Sequence, residues 1–166
     1  MVFPNNKSFG LSDFLAGYRN EIQKGFESID PEELEEIVNV LDKAIKNENT
    51  IFTCGNGGSS AISEHFVCDF LKGAATGTDI QPIIYSLSSN TPTLTAVAND
   101  IGYEDIFSFQ LERYGKDDDI LLCVSSSGNS PNIIKAIQMA KKKNIKTISF
   151  VGFVGGEAKN ISDQCI

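Results

Sequence analysis

A chain of 166 residues, 41% hydrophobic and 22% charged, carries enough apolar surface for one compact domain. Its net charge of −8 argues against a binder of duplex nucleic acid, which needs a basic face. No apolar stretch approaches the roughly 20 residues of a membrane span, and Met1–Gly10 lacks the apolar centre of a signal peptide. The one basic run, Lys141-Lys142-Lys143, falls at the end of a predicted helix, where cations complement the dipole. The four cysteines (Cys54, Cys68, Cys123 and Cys165) show no C-x-x-C spacing. Cys54, Cys123 and Cys165 sit in apolar runs that read as strands, so buried reduced thiols are expected, as suits a cytoplasmic protein.

Residues 1–10 read as irregular. Ser12-Asp13 is positioned to cap a first helix, with an apolar stripe at Phe14, Leu15, Tyr18, Ile22 and Phe26 that calls for a partner surface. Asp30-Pro31 opens a second helix. Its acidic start (Glu32, Glu33, Glu35, Glu36) and basic end (Lys43, Lys46) match the helix dipole. Leu34, Ile37, Val38, Leu41, Ala44 and Ile45 form its expected buried face.

From Thr50 the rhythm becomes strand, polar loop, helix. The predicted strands are Ile51–Cys54, Ile83–Leu87, Ile120–Val124 and Thr147–Val151, with Cys165-Ile166 as the start of a fifth. Helices are predicted over about 59–72, from Pro92 to Ala98, over Glu104–Tyr114, from Pro131 to about Lys143, and weakly over Glu157–Ile161. Ile120–Val124 is almost uniformly apolar, as expected of a central strand covered on both faces. Alternating strands and helices imply an α/β fold with a doubly wound parallel sheet. Ligands bind such sheets at the carboxyl ends of the strands. That gathers the loops GNGGSS, SLSSNT and SSSGNS around one crevice.

Of these loops SSSGNSP, Ser125–Pro131, is the strongest signal. Ser125, Ser126, Ser127 and Ser130, with a glycine at a helix start, offer hydroxyl and backbone donors to one anion. Ser130 alone would be an ordinary N-cap. The chain has neither G-x-x-x-x-G-K-[ST] nor, in these loops, G-x-G-x-x-G, which argues against a nucleotide triphosphatase. A sugar phosphate suits the short polar loops better than a nucleotide. Glycines after a strand often mean only a tight turn, but Asn56, Gly57, Gly58 and Ser59 share the serine loop's edge and so become candidate substrate contacts. His65, the only histidine, and Asp69 share a helix face at i, i+4. This spacing admits a plain helix-face pair, two metal ligands, or an acid and a base. Asn99-Asp100 reads as a turn.

CGNGGSSAISEHF, VANDIGYEDIFS and SSSGNSPNIIKAI, in this order, resemble the SIS (sugar isomerase) domain family, phosphoheptose isomerase type. The resemblance runs from the first helix to the end of the chain. It implies a flavodoxin-like sheet in a single SIS domain over 1–166. Residues 1–48 would pack subunits into a homotetramer or dimer, and 50–166 would form the α/β core. It implies interconversion of sedoheptulose 7-phosphate and a manno-heptose 7-phosphate, an aldose–ketose isomerisation serving lipopolysaccharide or capsule heptose biosynthesis. Asn56, Gly57, Gly58 and Ser59 would hold substrate, together with Asn99 and Asp100. Ser125, Ser126, Ser127 and Ser130 would grip the phosphate. His65 matches a histidine that binds zinc in some members. Asp69 stands where the family has a glutamate serving as base and metal ligand, and the shorter side chain withdraws the carboxylate by roughly 1.5 Å; a misplacement of about 1 Å can cost around a hundredfold in rate. The family pattern continues past the position of Ile166 through a last helix carrying the catalytic acid, so the C-terminal strand and helix read as cut short. The other expectation compatible with these motifs is a non-catalytic phosphosugar sensor or protein-partner adapter.

Overall fold

The computed structural model describes residues 10–166. The irregular reading of the first ten residues therefore lies outside the described residues, except for Gly10. Two helices, α1 (Leu11–Glu27) and α2 (Pro31–Lys46), precede a unit of β1 (Thr50–Gly55), α3 (Gly58–Cys68), β2 (Ile83–Ser86) and α4 (Thr91–Asp100). Then come α5 (Ser108–Tyr114), β3 (Ile120–Ser125), α6 (Pro131–Lys142), β4 (Lys146–Val151), α7 (Gly156–Ile161) and β5 (Gln164–Cys165). All strand pairs are parallel, in the order β2-β1-β3-β4-β5. This is the flavodoxin-like doubly wound order, whose reversal of direction falls between β1 and β3.

The sheet separates two apolar layers because alternate residues of a strand point to opposite faces. Phe52 and Cys54 of β1 and Leu121 and Cys123 of β3 face α4–α7, meeting Val97, Leu111, Ile133, Ile137 and Ala158. Ile51, Ile84, Ile120 and Ile148 face the other way, against Ile37 and Ala44 of α2, Val67 of α3 and Phe70. Every residue of β3 is buried, as its unbroken apolar run requires. At the edge opposite the loops, Asp119 is 2% exposed. Its carboxylate accepts from the N–H groups of Thr50 and Lys116, both at 2.7 Å, and so aligns the starts of β1 and β3.

Several local expectations change. Gly10, not Ser12-Asp13, precedes α1, with no side-chain cap bond. The start of α2 is as expected: the Asp30 carboxylate accepts from Glu32 N at 2.9 Å, and Pro31, which has no N–H to satisfy, begins the helix. Only part of the predicted buried face of α2 is buried. Leu34 and Val38 are exposed, because they lie about 60° and 100° round the helix from Ile37, the residue aimed at the sheet. Asn99 and Asp100 finish α4 instead of forming a turn. The helix expected over Glu104–Tyr114 is split into a 3₁₀ turn, Tyr103–Asp105, and α5. The helix after the first loop passes at Asp69 into a π-helical turn, Asp69–Ala74. Cys54 and Cys123 are fully buried, whereas Cys165 is half-buried. The fifth strand pairs with β4 through Gln164 and Cys165.

Candidate functional site

The loops after β1, β2 and β3 meet at the carboxyl edge, and specific bonds hold them together. Ser88, in the second loop, clasps the end of β1: its hydroxyl donates to Gly55 O at 3.0 Å and accepts from Gly55 N at 3.2 Å. Gly57 then turns the chain into α3 at φ 53° and ψ −121°, a conformation that suits glycine and strains a residue with a Cβ. The first loop is tied to the third through a reciprocal amide pair. Asn56 Nδ2 donates to Asn132 Oδ1, and Asn132 Nδ2 donates to Asn56 Oδ1, each at 2.8 Å. The Tyr103 hydroxyl adds a third bond, donating to Asn56 Oδ1 at 3.1 Å.

The serine loop is shaped by its own backbone. Gly128 N donates to the Ser125 hydroxyl, which is buried. Gly128 takes φ 63°, and a Cβ there would drive into the carbonyl oxygen of Gly155. Asn129 N donates to the Ser127 hydroxyl at 3.2 Å. The loop leans on the next turn, where Ala158 N donates to Gly128 O and Glu157 N to Asn129 Oδ1, both at 2.9 Å. Ser130 takes the N-cap position of α6, but its hydroxyl does not cap the helix. Among the described residues the hydroxyls of Ser126 and Ser130 have no hydrogen-bond partner, and the loop adds peptide N–H groups and the Ser127 hydroxyl as further neutral donors. Neutral donors converging at a helix start can grip an anion without a formal positive charge.

Lys135, which lines one cavity with Ser130, is already paired. Lys135 Nζ bonds both carboxylate oxygens of Asp105, at 2.8 and 3.0 Å, with Glu104 at 3.6 Å. The hydrogen bond to Asp105 raises the pKa of Lys135 above its ordinary 10.5; the two neighbouring carboxylates add to the rise, and partial desolvation opposes it. The Lys135 ammonium is thus committed to Asp105 and Glu104, whose two carboxylates outweigh its single charge, and the serine loop offers neutral donors. A cavity of about 530 Å³ opens here, lined by Asn56, Tyr103, Ser130, Asn132 and Lys135. Of two other cavities of comparable size, the one beside β2 takes Ser89 and Asn90 of the second loop, and the one between α1 and the end of β4 takes no residue of the three loops.

The predicted residues fall into three groups. Asn56, Gly57, Gly58 and Ser59 and the serines 125, 126, 127 and 130 flank the β1/β3 reversal. His65 lies further along α3 and Asp69 opens the π-helical turn after it, with Nε2 to Oδ2 at 3.7 Å and side chains 72% and 64% exposed; among the described residues no side-chain bond links them to the loops. Asn99 Nδ2 donates to Asp100 Oδ1 at 2.7 Å, and both are exposed at the end of α4. Sequence reasoning missed Tyr103, Asn132 and Lys135. Asn132 carried a faint signal, a polar residue just before Ile133-Ile134; Tyr103 carried none. Also missed was Cys68. His65, Cys68 and Asp69 bring a nitrogen, a sulfur and an oxygen within 4.8 Å of one another, a donor set of the kind zinc takes.

Comparison with known proteins places the chain in a family. The SIS domain family matches residues 16–152. A phosphoheptose isomerase of Helicobacter pylori (strain P12) is 39% identical over 154 residues, spanning 93% of this chain and 79% of that protein. One from Clostridium acetobutylicum is 41% identical over 132 residues, spanning 80% of this chain and 67% of that protein. The solved structure of a phosphoheptose isomerase from Neisseria gonorrhoeae superposes with a TM-score of 0.83 at 29% identity, covering 94% of this chain and 84% of the other. With a match across most of its length and relatives of this identity, the chain belongs to the SIS domain family and, within it, to the phosphoheptose isomerases.

Proposed function

We propose that this protein is an aldose–ketose isomerase interconverting sedoheptulose 7-phosphate and a manno-heptose 7-phosphate. The observation that carries this reading is the convergence of the glycine and serine loops at the β1/β3 reversal, with unpartnered hydroxyls on Ser126 and Ser130, in a chain of this family. Ser125, Ser126, Ser127 and Ser130 bind the phosphate, the exposed hydroxyls and N–H groups contacting it and Ser125 shaping the loop from beneath. Asn56, Gly57, Gly58 and Ser59 hold the sugar, with Asn99 and Asp100 closing round it. Asp69 takes the proton beside the carbonyl to give an enediol(ate), and an acid returns it at the neighbouring carbon. His65 orients Asp69, or shares a zinc ion with it. His65 and Asp69 would hold the zinc, which when bound would supply Lewis-acid polarisation. The curated relatives are named as isomerases, which favours catalysis over a sensor or adapter role.

The whole chain is read as one SIS domain, with 1–48 for subunit packing and 50–166 as the catalytic core. The α1 stripe supports a homo-oligomer, tetramer or dimer: Leu15, Tyr18, Ile22 and Phe26 are exposed beside Leu34 and Val38 of α2. Four unpaired cysteines support a cytoplasmic location. Among the described residues no helix is long and apolar enough to cross a membrane. Heptose supply for lipopolysaccharide or capsule is the pathway that suits this product.

Isomerisation of sedoheptulose 7-phosphate by the purified protein tests the reading. Turnover by wild type is expected, with Asp69→Ala slower by at least about a hundredfold, the lower range for a lost general base. Equal rates would remove Asp69 from the chemistry, and no turnover by wild type would refute the isomerase reading.

A further inference from the structure

We propose that Cys68 is a third ligand in the metal site, so that His65, Cys68 and Asp69 form a nitrogen–sulfur–oxygen set on one face of α3. This deepens, and rests on, the reading that His65 and Asp69 hold zinc. Positions i, i+3 and i+4 of a helix fall within about 100° of arc. The three donor atoms already lie within 4.8 Å of one another, and His65 Nε2 is 3.7 Å from Asp69 Oδ2. Tetrahedral zinc with bonds of about 2.0–2.3 Å sets its ligand atoms roughly 3.3–3.6 Å apart. The histidine–aspartate gap nearly meets that spacing, and the sulfur needs to close at most about 1.5 Å, within reach of a side-chain rotation. All three residues are exposed, so no packing resists the adjustment.

The placement of Cys68 is itself unusual. Free cysteine is among the most buried residue types, and Cys54 and Cys123 obey that rule at 0% exposure. Cys68 is exposed and contributes to neither apolar layer. It sits at the junction where α3 gives way to the π-helical turn beginning at Asp69, and such turns recur at functional sites. A thiolate here has a chemical purpose. A soft thiolate beside His65 and Asp69 brings the ligand count to three, the number of protein ligands typical of catalytic zinc, and favours zinc over magnesium or manganese.

Cobalt titration of the chelator-stripped protein, followed by absorption, tests this, because cobalt bonded to a thiolate shows a near-ultraviolet charge-transfer band absent from nitrogen and oxygen sites. Wild type and Cys165→Ser are expected to show the band, saturating at one cobalt per chain. Cys68→Ser is expected to lose it while still binding cobalt, at least about tenfold more weakly, since even outer-shell losses cost that much. Visible cobalt bands without the charge-transfer band in wild type, or a band unchanged in Cys68→Ser, would overturn the role of Cys68 and leave a His65–Asp69 site standing. Absence of any cobalt binding by wild type would overturn the zinc reading and this inference together.

Discussion

Replacing Asn132 with alanine removes the brace between the two loops that flank the β1/β3 reversal. Asn132 is 1% exposed, and its amide makes two bonds of 2.8 Å to Asn56. A net value of about 1 kcal/mol per bond gives about 2 kcal/mol for the pair. Asn56 is only half-buried, so water can satisfy its freed groups, and the full penalty of an orphaned buried amide does not apply. For a chain of this size 1 kcal/mol moves the melting temperature by about 2–4 °C, so Asn132→Ala is expected to melt about 4–8 °C lower, at fixed protein concentration. Tyr103→Phe removes a single, longer bond at an exposed side chain, and about 0.5 kcal/mol is expected. A double-mutant cycle of Asn56→Ala and Asn132→Ala isolates the pair, with a coupling of about 1–2 kcal/mol expected. In kinetics, the slackened first loop is expected to raise KM for the sugar phosphate. A coupling below about 0.5 kcal/mol, together with an unchanged KM, would refute the view that this pair holds the site together.

Other substitutions probe the surrounding parts. Gly128→Ala forces a Cβ into a left-handed turn and against Gly155 O, so a loss of more than about 2 kcal/mol in urea unfolding and weakened binding of inorganic phosphate are expected. Lys135→Met is expected to be less stable than wild type by a constant amount between pH 7 and 10. Because the folded-state pKa of Lys135 lies above 10.5, the stabilisation is complete below that value, and the two proteins converge as the pH rises through the raised value. In alkylation at pH 8, Cys68 is expected to react first and Cys165 more slowly, with Cys54 and Cys123 reacting only after unfolding. The hydrogen bond between the last two thiols and their burial push the Cys54 thiol well above its ordinary range, so little nucleophilic thiolate forms. Labelling of Cys54 at a rate comparable with Cys68 would contradict the packing of the two central strands.

The amino-acid sequence by itself determined most of the elements and the edge on which the candidate site lies. Unbroken apolar runs marked the strands, Asp30-Pro31 marked a helix start through local capping chemistry, and three polar loops after three strands pointed to one crevice, because parallel strands carry all their carboxyl ends to one edge. These signals are short-range or periodic, and so are written within a few residues. Only the tertiary structure decided what the loop residues do there. Asn56 meets Asn132 and Tyr103, 76 and 47 positions away, and no local pattern encodes such meetings. They give the Asn56 amide a bracing role alongside the substrate contact proposed for it. In the same way Lys135, in sequence one more charge on a helix, becomes the partner of Asp105 once the 3₁₀ turn brings that carboxylate across from α6. Burial too was settled in three dimensions: α1 is amphipathic, yet none of its residues is buried, because the sheet face it would need is already covered by α2 and α3.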